Sequence, residues 1–395
     1  MLSVDEARLR MLSAVSAGRS ERVAVEDCAG RVLARDIVAG RAQPPFRASA
    51  MDGYAARAAD TPGRLRVIGE SAAGRGYGAA LRENEAVRIS TGAPVPSGAD
   101  TIVIQEDAQR DGDCIEAPEV RAGRHIRALG SDFGVGDTLL ATGQVLHPGA
   151  LMLAAAAGFA QLDVNAQPRV TVFSGGDEIV LPGAAATADQ VFDSTRYGIA
   201  AMISAAGATP RLTPLLPDDR AAVRAAVEPA LANSDLILLI GGASVGDHDH
   251  ARAALGELGV ELSVEKVAVR PGKPTWFGTC RGVPVLGLPG NPASALVCAR
   301  LFLRPLLDKM LGRDPASSVA TRAARLNAPL KANGARETYL RARSWHDEEG
   351  QVWAEAFSDQ DSSLMRVFAA SDCLIVRNPD EAEAAQGDLV SVLPL

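Results

Sequence analysis

The chain is predicted to be a multidomain protein of mixed α/β and β architecture, and three observations carry that prediction. Its 395 residues exceed what one ordinary core holds, so two to four domains are expected. Between residues 168 and 312, apolar strand-like runs alternate with helical runs, the pattern of a sheet covered by helices on both faces. On either side, from about 41 to 138 and from 319 to 395, short alternating runs are punctuated by glycine and proline turns, the texture of β domains.

The elements follow in order. Val4, Ala7, Leu9, Leu12 and Val15 share helical spacing, and Ser3 with Glu6 fits a capping box, so residues 3 to 17 read as an amphipathic helix. RLRVIGE, AVRIST and DTIVIQED read as strands of an inserted β-rich domain. ALMLAAAAGFAQL, 150 to 162, is too short to span a membrane and reads as a buried helix. RVTVF is then a buried strand, TRYGIAAMISAAG a helix with Ser194 or Asp193 as its cap and Gly207 as its stop, and DDRAAVRAAVEPALAN a helix capped by Asp218. DLILLI, VEKVAV, TWFG and VPVLGL read as strands, with a short helix near 251 to 256 and a long one from ASALVCARLFLRPLLDKML. TYLRARSW, a DEEG turn, QVWAEAF, CLIVRN and DLVSVLPL make a small terminal barrel or sandwich.

Charge narrows the function. A formal net charge of −8 argues against general nucleic-acid binding and against attraction to anionic membranes. Lysine occurs only at Lys266, Lys273, Lys309 and Lys331, so an anionic ligand must meet a local basic group. Cys28, Cys114, Cys280, Cys298 and Cys373 are scattered, which fits neither a zinc site nor a disulfide framework and points to a reducing cytoplasm. The N-terminus lacks a secretory pattern.

Ligands of an open α/β sheet gather at the carboxyl ends of its strands. Three strands there end in small or acidic turns: Ser174, Gly175, Gly176, Asp177 and Glu178; then GGASVGDHDH with Gly241, Gly242, Ser244, Gly246, Asp247 and Asp249; then Pro289, Gly290, Asn291, Pro292 and Ser294. Glycines let backbone amides approach an anion, and the serines add hydroxyls. Carboxylates beside a phosphate are reconciled by a divalent cation such as Mg²⁺, while helix caps and solvated loop acids are the alternative reading. His248 and His250 lack the third neighbouring ligand a catalytic zinc needs. Arg270 and Lys273 flank a Pro-Gly turn and are the natural oxyanion grip. Upstream, Asp52 in PPFRASAMDGYA and Thr91 in ISTGAPVP sit on turns that composition cannot connect to the α/β domain.

Taken in order, SAMDGYA, STGAPVP, GGASVGDHD, RPGKP and LPGNPASA resemble the signature segments of the molybdopterin molybdenumtransferase family, MoeA and the gephyrin E domain, and the resemblance runs over essentially the whole chain. It implies four domains: a discontinuous N-terminal one (1–40 and 139–167), an inserted β domain (41–138), a three-layer α/β domain like that of the molybdopterin adenylyltransferases (168–312), and a C-terminal β-barrel (313–395). It also implies a cytoplasmic homodimer whose active site draws on both subunits, in transient contact with molybdopterin adenylyltransferase and with acceptor molybdoenzymes. The implied reaction inserts molybdate into adenylylated molybdopterin, with Mg²⁺ and release of AMP. Carried over residue by residue, the catalytic set is Asp52, Thr91, Glu178, Asp249 and Lys273, with Glu178 and Asp249 toward the cation. Arg127, Asp132 and Asp193 join the three turns and Arg270 as substrate-binding positions. Departures from the common pattern are Gly175 for threonine, Arg270 for lysine, Arg47 and Ala48 for Asp and Asn, Thr195 for Asn, His248 for an aromatic, and QDSS (360–363) without its glycine. An adenylyltransferase-like enzyme and a non-catalytic carrier or scaffold are the competing functions.

Overall fold

The computed structural model describes residues 1–241 and 250–395. The chain forms two compact units. One comprises Met1–Glu21, Gly30–Ala34 and Val164–Leu395; the other comprises Arg22–Ala29 and Arg35–Asp163.

The larger unit is built on a six-stranded sheet. Its elements are β1 (Arg169–Ser174), α1 (Thr195–Ala206), β2 (Thr209–Leu212), α2 (Arg220–Leu231), β3 (Leu236–Ile240), α3 (His250–Glu257), β4 (Val260–Val264), β5 (Trp276–Cys280), β6 (Val283–Leu288) and α4 (Pro292–Cys298). The strand order is β2-β1-β3-β6-β5-β4, parallel from β2 to β6 and antiparallel beyond. Every residue of β3 is buried, as a strand covered on both faces must be. Alternate side chains feed two cores. Val170, Val172, Leu236, Leu238 and Leu286 meet Ile199 and Ile203 of α1, while Phe173, Ile237, Leu239 and Val285 meet Val223 and Val227 of α2. Three layers result.

Helix termini follow local chemistry. Helix α1 stops at Gly207 in a left-handed conformation. For α2 the cap is Asp219, whose carboxylate accepts the Ala222 N–H at 2.7 Å, rather than the expected Asp218. The long helix expected after LPGN is divided: α4 runs into a π turn at Ala299–Leu303 and resumes as Arg304–Met310. Pro305, which has no N–H to donate, accounts for the break. VEKVAV is likewise divided, its ends belonging to β4 and to a separate short strand, Val269–Arg270.

The terminal β region closes into a barrel. Strands β7 (Arg322–Leu326), β8 (Glu337–His346), β9 (Val352–Ala356), β10 (Cys373–Arg377) and β11 (Leu389–Pro394) pair in the ring β8-β9-β7-β11-β10-β8. Val269–Arg270 joins β8 in parallel from outside the ring. The N-terminal helix Val4–Ser13, whose Ser3 cap accepts the Glu6 N–H at 3.2 Å, buries Val4, Ala7 and Met11 in the α1-side core.

The smaller unit holds a six-stranded sheet in the order Thr101–Ile104, Gly53–Ala56, Glu85–Ile89, Gly63–Ser71, Cys114–Ala117, Gln109–Asp111. The alanine-rich segment is shorter and wetter than expected. Its helix, Pro148–Ala156, buries Ala150 and Ala154 but leaves Met152 74% exposed.

One half-buried acid makes stability pH-dependent. Burial pushes the Glu337 carboxyl up, with Asp5 adding to the effect, against the hydrogen bond from the Tyr339 hydroxyl and the charge of Arg8. A raised folded-state pKa gives stability that is full below the unfolded value and is lost as pH rises through the folded one. Glu337→Gln is therefore expected to raise the melting temperature by an increment that grows as pH rises from the ordinary glutamate range toward neutrality. A thermal-shift series across that range would contradict this if the increment stayed flat.

Candidate active site

The carboxyl ends of β1, β3 and β6 open on one crevice in the larger unit. Its first wall begins at Ser174, whose hydroxyl donates to Asp193 Oδ2 at 2.6 Å. Asp193, 5% exposed, also accepts the Arg196 backbone N–H at 3.3 Å, and the Arg196 guanidinium lies 3.6 Å away. Arg196 in turn donates to the Thr213 carbonyl. The Ser174 proton is thus committed within the wall, which leaves its oxygen as an acceptor only.

Gly175 and Gly176 are held by backbone. Leu216 N–H donates to the Ser174 carbonyl at 3.0 Å, and Gly176 N–H to the Leu216 carbonyl at 3.1 Å. A β-carbon on residue 175 would stand 2.1 Å from that carbonyl oxygen, so glycine is required for close approach. The Gly176 amide, expected to face an anion, is already used. So is the Gly241 amide, which donates to Leu288 at 3.2 Å. Asp177 Oδ1 accepts the Asp218 N–H at 3.2 Å, which brings Asp218 to the crevice, while the exposed Glu178 lines it directly.

On the third turn Pro289, Gly290, Asn291 and Pro292 line the opening, whereas Ser294 is 5% exposed within the first turn of α4. The barrel supplies what sequence reasoning missed. Asn291 Nδ2 donates to Ser362 Oγ at 2.9 Å, and Ala293 N–H to the Ser362 carbonyl at 3.1 Å, so Ser363 and Met365 come to line the crevice. Behind that loop the buried Arg341 donates to Gln360 Oε1 and to the Leu364 carbonyl, each at 3.3 Å. Its Nη2 has no partner among the described residues. The polar run QDSSLM was the only signal for this loop.

Pro274 also lines the crevice, and the exposed Arg270 and Lys273 of the same turn have no acidic or hydrogen-bonding partner for their side chains among the described residues. Gly242, Ser244, Gly246, Asp247, His248 and Asp249 lie outside the described residues. Among those described, no three His, Cys, Asp or Glu side chains are grouped so as to hold a metal.

The smaller unit gathers a second group. Asp52 Oδ1 accepts the Thr91 N–H at 2.6 Å, and the Gln105 N–H donates to the Asp52 carbonyl at 3.1 Å. The backbone N–H and the hydroxyl of Thr91, and more weakly the charge of Arg88, hold the Asp52 carboxyl below its ordinary range. Arg88, which sequence reasoning also missed, lies 5.1 Å from the Tyr54 ring centroid and donates to Gln105 Oε1 at 2.7 Å. Ile126–Arg127 pairs with Ala48–Ser49, four residues before Asp52, and Asp132 N–H donates to the Gln43 carbonyl at 3.0 Å.

The larger unit thus joins a three-layer α/β domain, with a crevice at its strand ends, to a closed barrel. Residues 2–158 match the MoeA N-terminal region (domain I and II), 171–309 a probable molybdopterin binding domain, and 323–395 the MoeA C-terminal region (domain IV). The chain is 36% identical to molybdopterin molybdenumtransferase 2 of Mycobacterium tuberculosis over all of both chains. It is 33% identical to the molybdopterin molybdenumtransferase of Haemophilus influenzae over 100% of this chain and 98% of that one. A solved structure of the molybdopterin biosynthesis MoeA protein of Pyrococcus horikoshii superposes with a TM-score of 0.88 at 30% identity, covering 100% and 99% of the two chains. The chain belongs to the MoeA family of molybdopterin molybdenumtransferases, and its role is in molybdenum cofactor biosynthesis.

Two substitutions test this geometry. Asp52→Asn keeps an acceptor for the Thr91 N–H, so the melting temperature should stay near wild type while turnover falls; a variant of wild-type activity would remove Asp52 from the site. Gly175→Thr should cost about 1–3 kcal/mol in chemical denaturation, because the Leu216 carbonyl must move; no loss would contradict the close approach.

Proposed function

We propose that the protein inserts molybdate into adenylylated molybdopterin, breaking the phosphoanhydride with water and releasing AMP. The observation that carries this reading is the pair of cations Arg270 and Lys273, unpartnered among the described residues of an acidic chain, on a turn whose Pro274 lines the crevice. Both substrates are oxyanions, and two positive groups, unpartnered among the described residues, on a turn that borders the crevice are suited to them.

Glu178, and Asp249 by its position in the sequence, would hold a Mg²⁺ ion. The donor set fits: a crevice with few carboxylates and no protein cage among its described residues suits a cation that keeps water and substrate oxygens as its other ligands. Bound there, the cation would neutralise phosphate charge as the anhydride breaks. The chain's own groups orient the substrates. Asp193, fixed by Arg196, holds the Ser174 hydroxyl with its oxygen lone pairs available, and the Ser362–Met365 loop, bonded to Asn291, adds Ser363 and Met365 to the lining. We keep the remaining assignments within the same reading: Asp52 and Thr91 for substrate and cation, and Arg127 and Asp132 in support. The four-domain division, the homodimer, the cytoplasmic location, and transient contacts with a molybdopterin adenylyltransferase and acceptor molybdoenzymes complete it. Among the described residues no helix is long and apolar enough to cross a membrane.

Purified protein given adenylylated molybdopterin, Mg²⁺ and molybdate is expected to release AMP in a molybdate-dependent manner and to yield cofactor that reconstitutes a molybdoenzyme. Glu178→Gln should lower kcat by about 100-fold or more with an unchanged melting temperature. AMP release indifferent to molybdate would refute the reading.

A further inference from the structure

The turn that carries Lys273 rests on a group with no assigned role. Gly272 has φ +118°, and a β-carbon built on it would lie 2.1 Å from the sulfur of Cys298. Thr275 is fully buried; its hydroxyl donates to the Gly272 carbonyl at 2.8 Å and lies 3.0 Å from Cys298 Sγ. The Thr275 backbone N–H donates to the same carbonyl at 3.0 Å, and Cys298 Sγ stands 3.8 Å from it and 3.9 Å from the Pro271 carbonyl. Cys298 is the last residue of α4, whose first residue, Pro292, lines the crevice, and the π turn begins at Ala299. A single seven-residue helix thus contacts the crevice at one end and the floor of the cationic turn at the other.

We propose that Gly272, Thr275 and Cys298 form a buried latch that sets the distance between the Lys273 turn and the LPGN turn, making Thr275 and Cys298 positioning residues for the tetrahedral oxyanion. The proposal rests on the molybdate-inserting reading given above. The interior around the latch is close-packed, so a side chain larger than a thiol at 298 displaces the Gly272 backbone, and with it the base of Lys273 and Pro274. Removing the Thr275 hydroxyl frees the turn from the other side, because the buried Gly272 carbonyl loses its side-chain donor. The latch is sealed: burial holds the Cys298 thiol up at about 12, so it serves by shape and contact, not as a nucleophile.

The test uses full-length protein with Cys298→Val, Cys298→Ser and Thr275→Val. Molybdate alone is the probe in isothermal titration calorimetry, and KM and kcat follow from AMP release. Lys273 acetylation is read by peptide mass spectrometry, with the exposed Lys331 of the barrel as the internal standard. Cys298→Val and Thr275→Val are expected to weaken molybdate binding and raise its KM by about tenfold, with kcat within about threefold, and to change the Lys273 acetylation rate relative to Lys331. Cys298→Ser, close in size and still able to meet the Thr275 hydroxyl, should stay near wild type in all three. Unchanged acetylation and unchanged molybdate affinity in both folded variants overturn the latch. So does a Cys298→Ser protein as impaired as Cys298→Val. If wild type shows no molybdate-dependent AMP release yet Lys273 reactivity shifts as expected, the latch stands and the functional reading falls; normal AMP release with no such shift has the reverse meaning.

Discussion

Burial of both faces of β3 is the constraint on which the larger unit depends. A strand of five apolar residues with no wet side needs cover on both faces, and here α1 and α2, the crossovers between parallel strands, supply it above and below. Parallel strands end on the same edge, so their loops converge. The crevice is therefore a geometric by-product of burying Leu236–Ile240, and its chemistry is whatever the sequence places in those loops. Here it is glycines, acids and two cations without partners among the described residues.

Much of this organisation was legible in the sequence, because strand–helix alternation is a local pattern. Alternation identified the α/β domain, and the five ordered motifs identified the family, which the full-length likeness to MoeA bears out. Closure of the last domain was implied by the resemblance alone: local pattern leaves barrel and sandwich open, because they differ in whether β8 also pairs with β10, a contact between distant residues. The cap of α2 escaped because Asp218 and Asp219 are adjacent acids, and only the one whose carboxylate reaches Ala222 is the cap. The alanine run was misread because alanine carries too little apolar area to decide its own burial, and Met152 turned out to face water.

Within the site, residue types were easier to identify than their hydrogen bonds. Ser174 was expected to donate to an anion, yet its proton is held by Asp193, nineteen positions away, and Asp193 is held by the buried Arg196. Gly175 could be read only as a missing hydroxyl. The structure gives it a reason, the carbonyl of Leu216, reached through a segment some forty residues along the chain. The barrel loop at Ser362–Met365 shares no sequence neighbourhood with the α/β turns and enters the crevice only through tertiary pairing.

The parallel pairing of Val269 and Arg270 with Glu337 and Thr338 has a mechanical meaning. Those two residues lead directly into the Lys273 turn, while the partner strand β8 carries Arg341, to which the Ser362–Met365 loop is bonded through Gln360 and Leu364. Two walls of the crevice, drawn from different domains, thus share one backbone ladder and one load path. The barrel strand and the cationic turn are thereby joined through backbone, not through side chains alone.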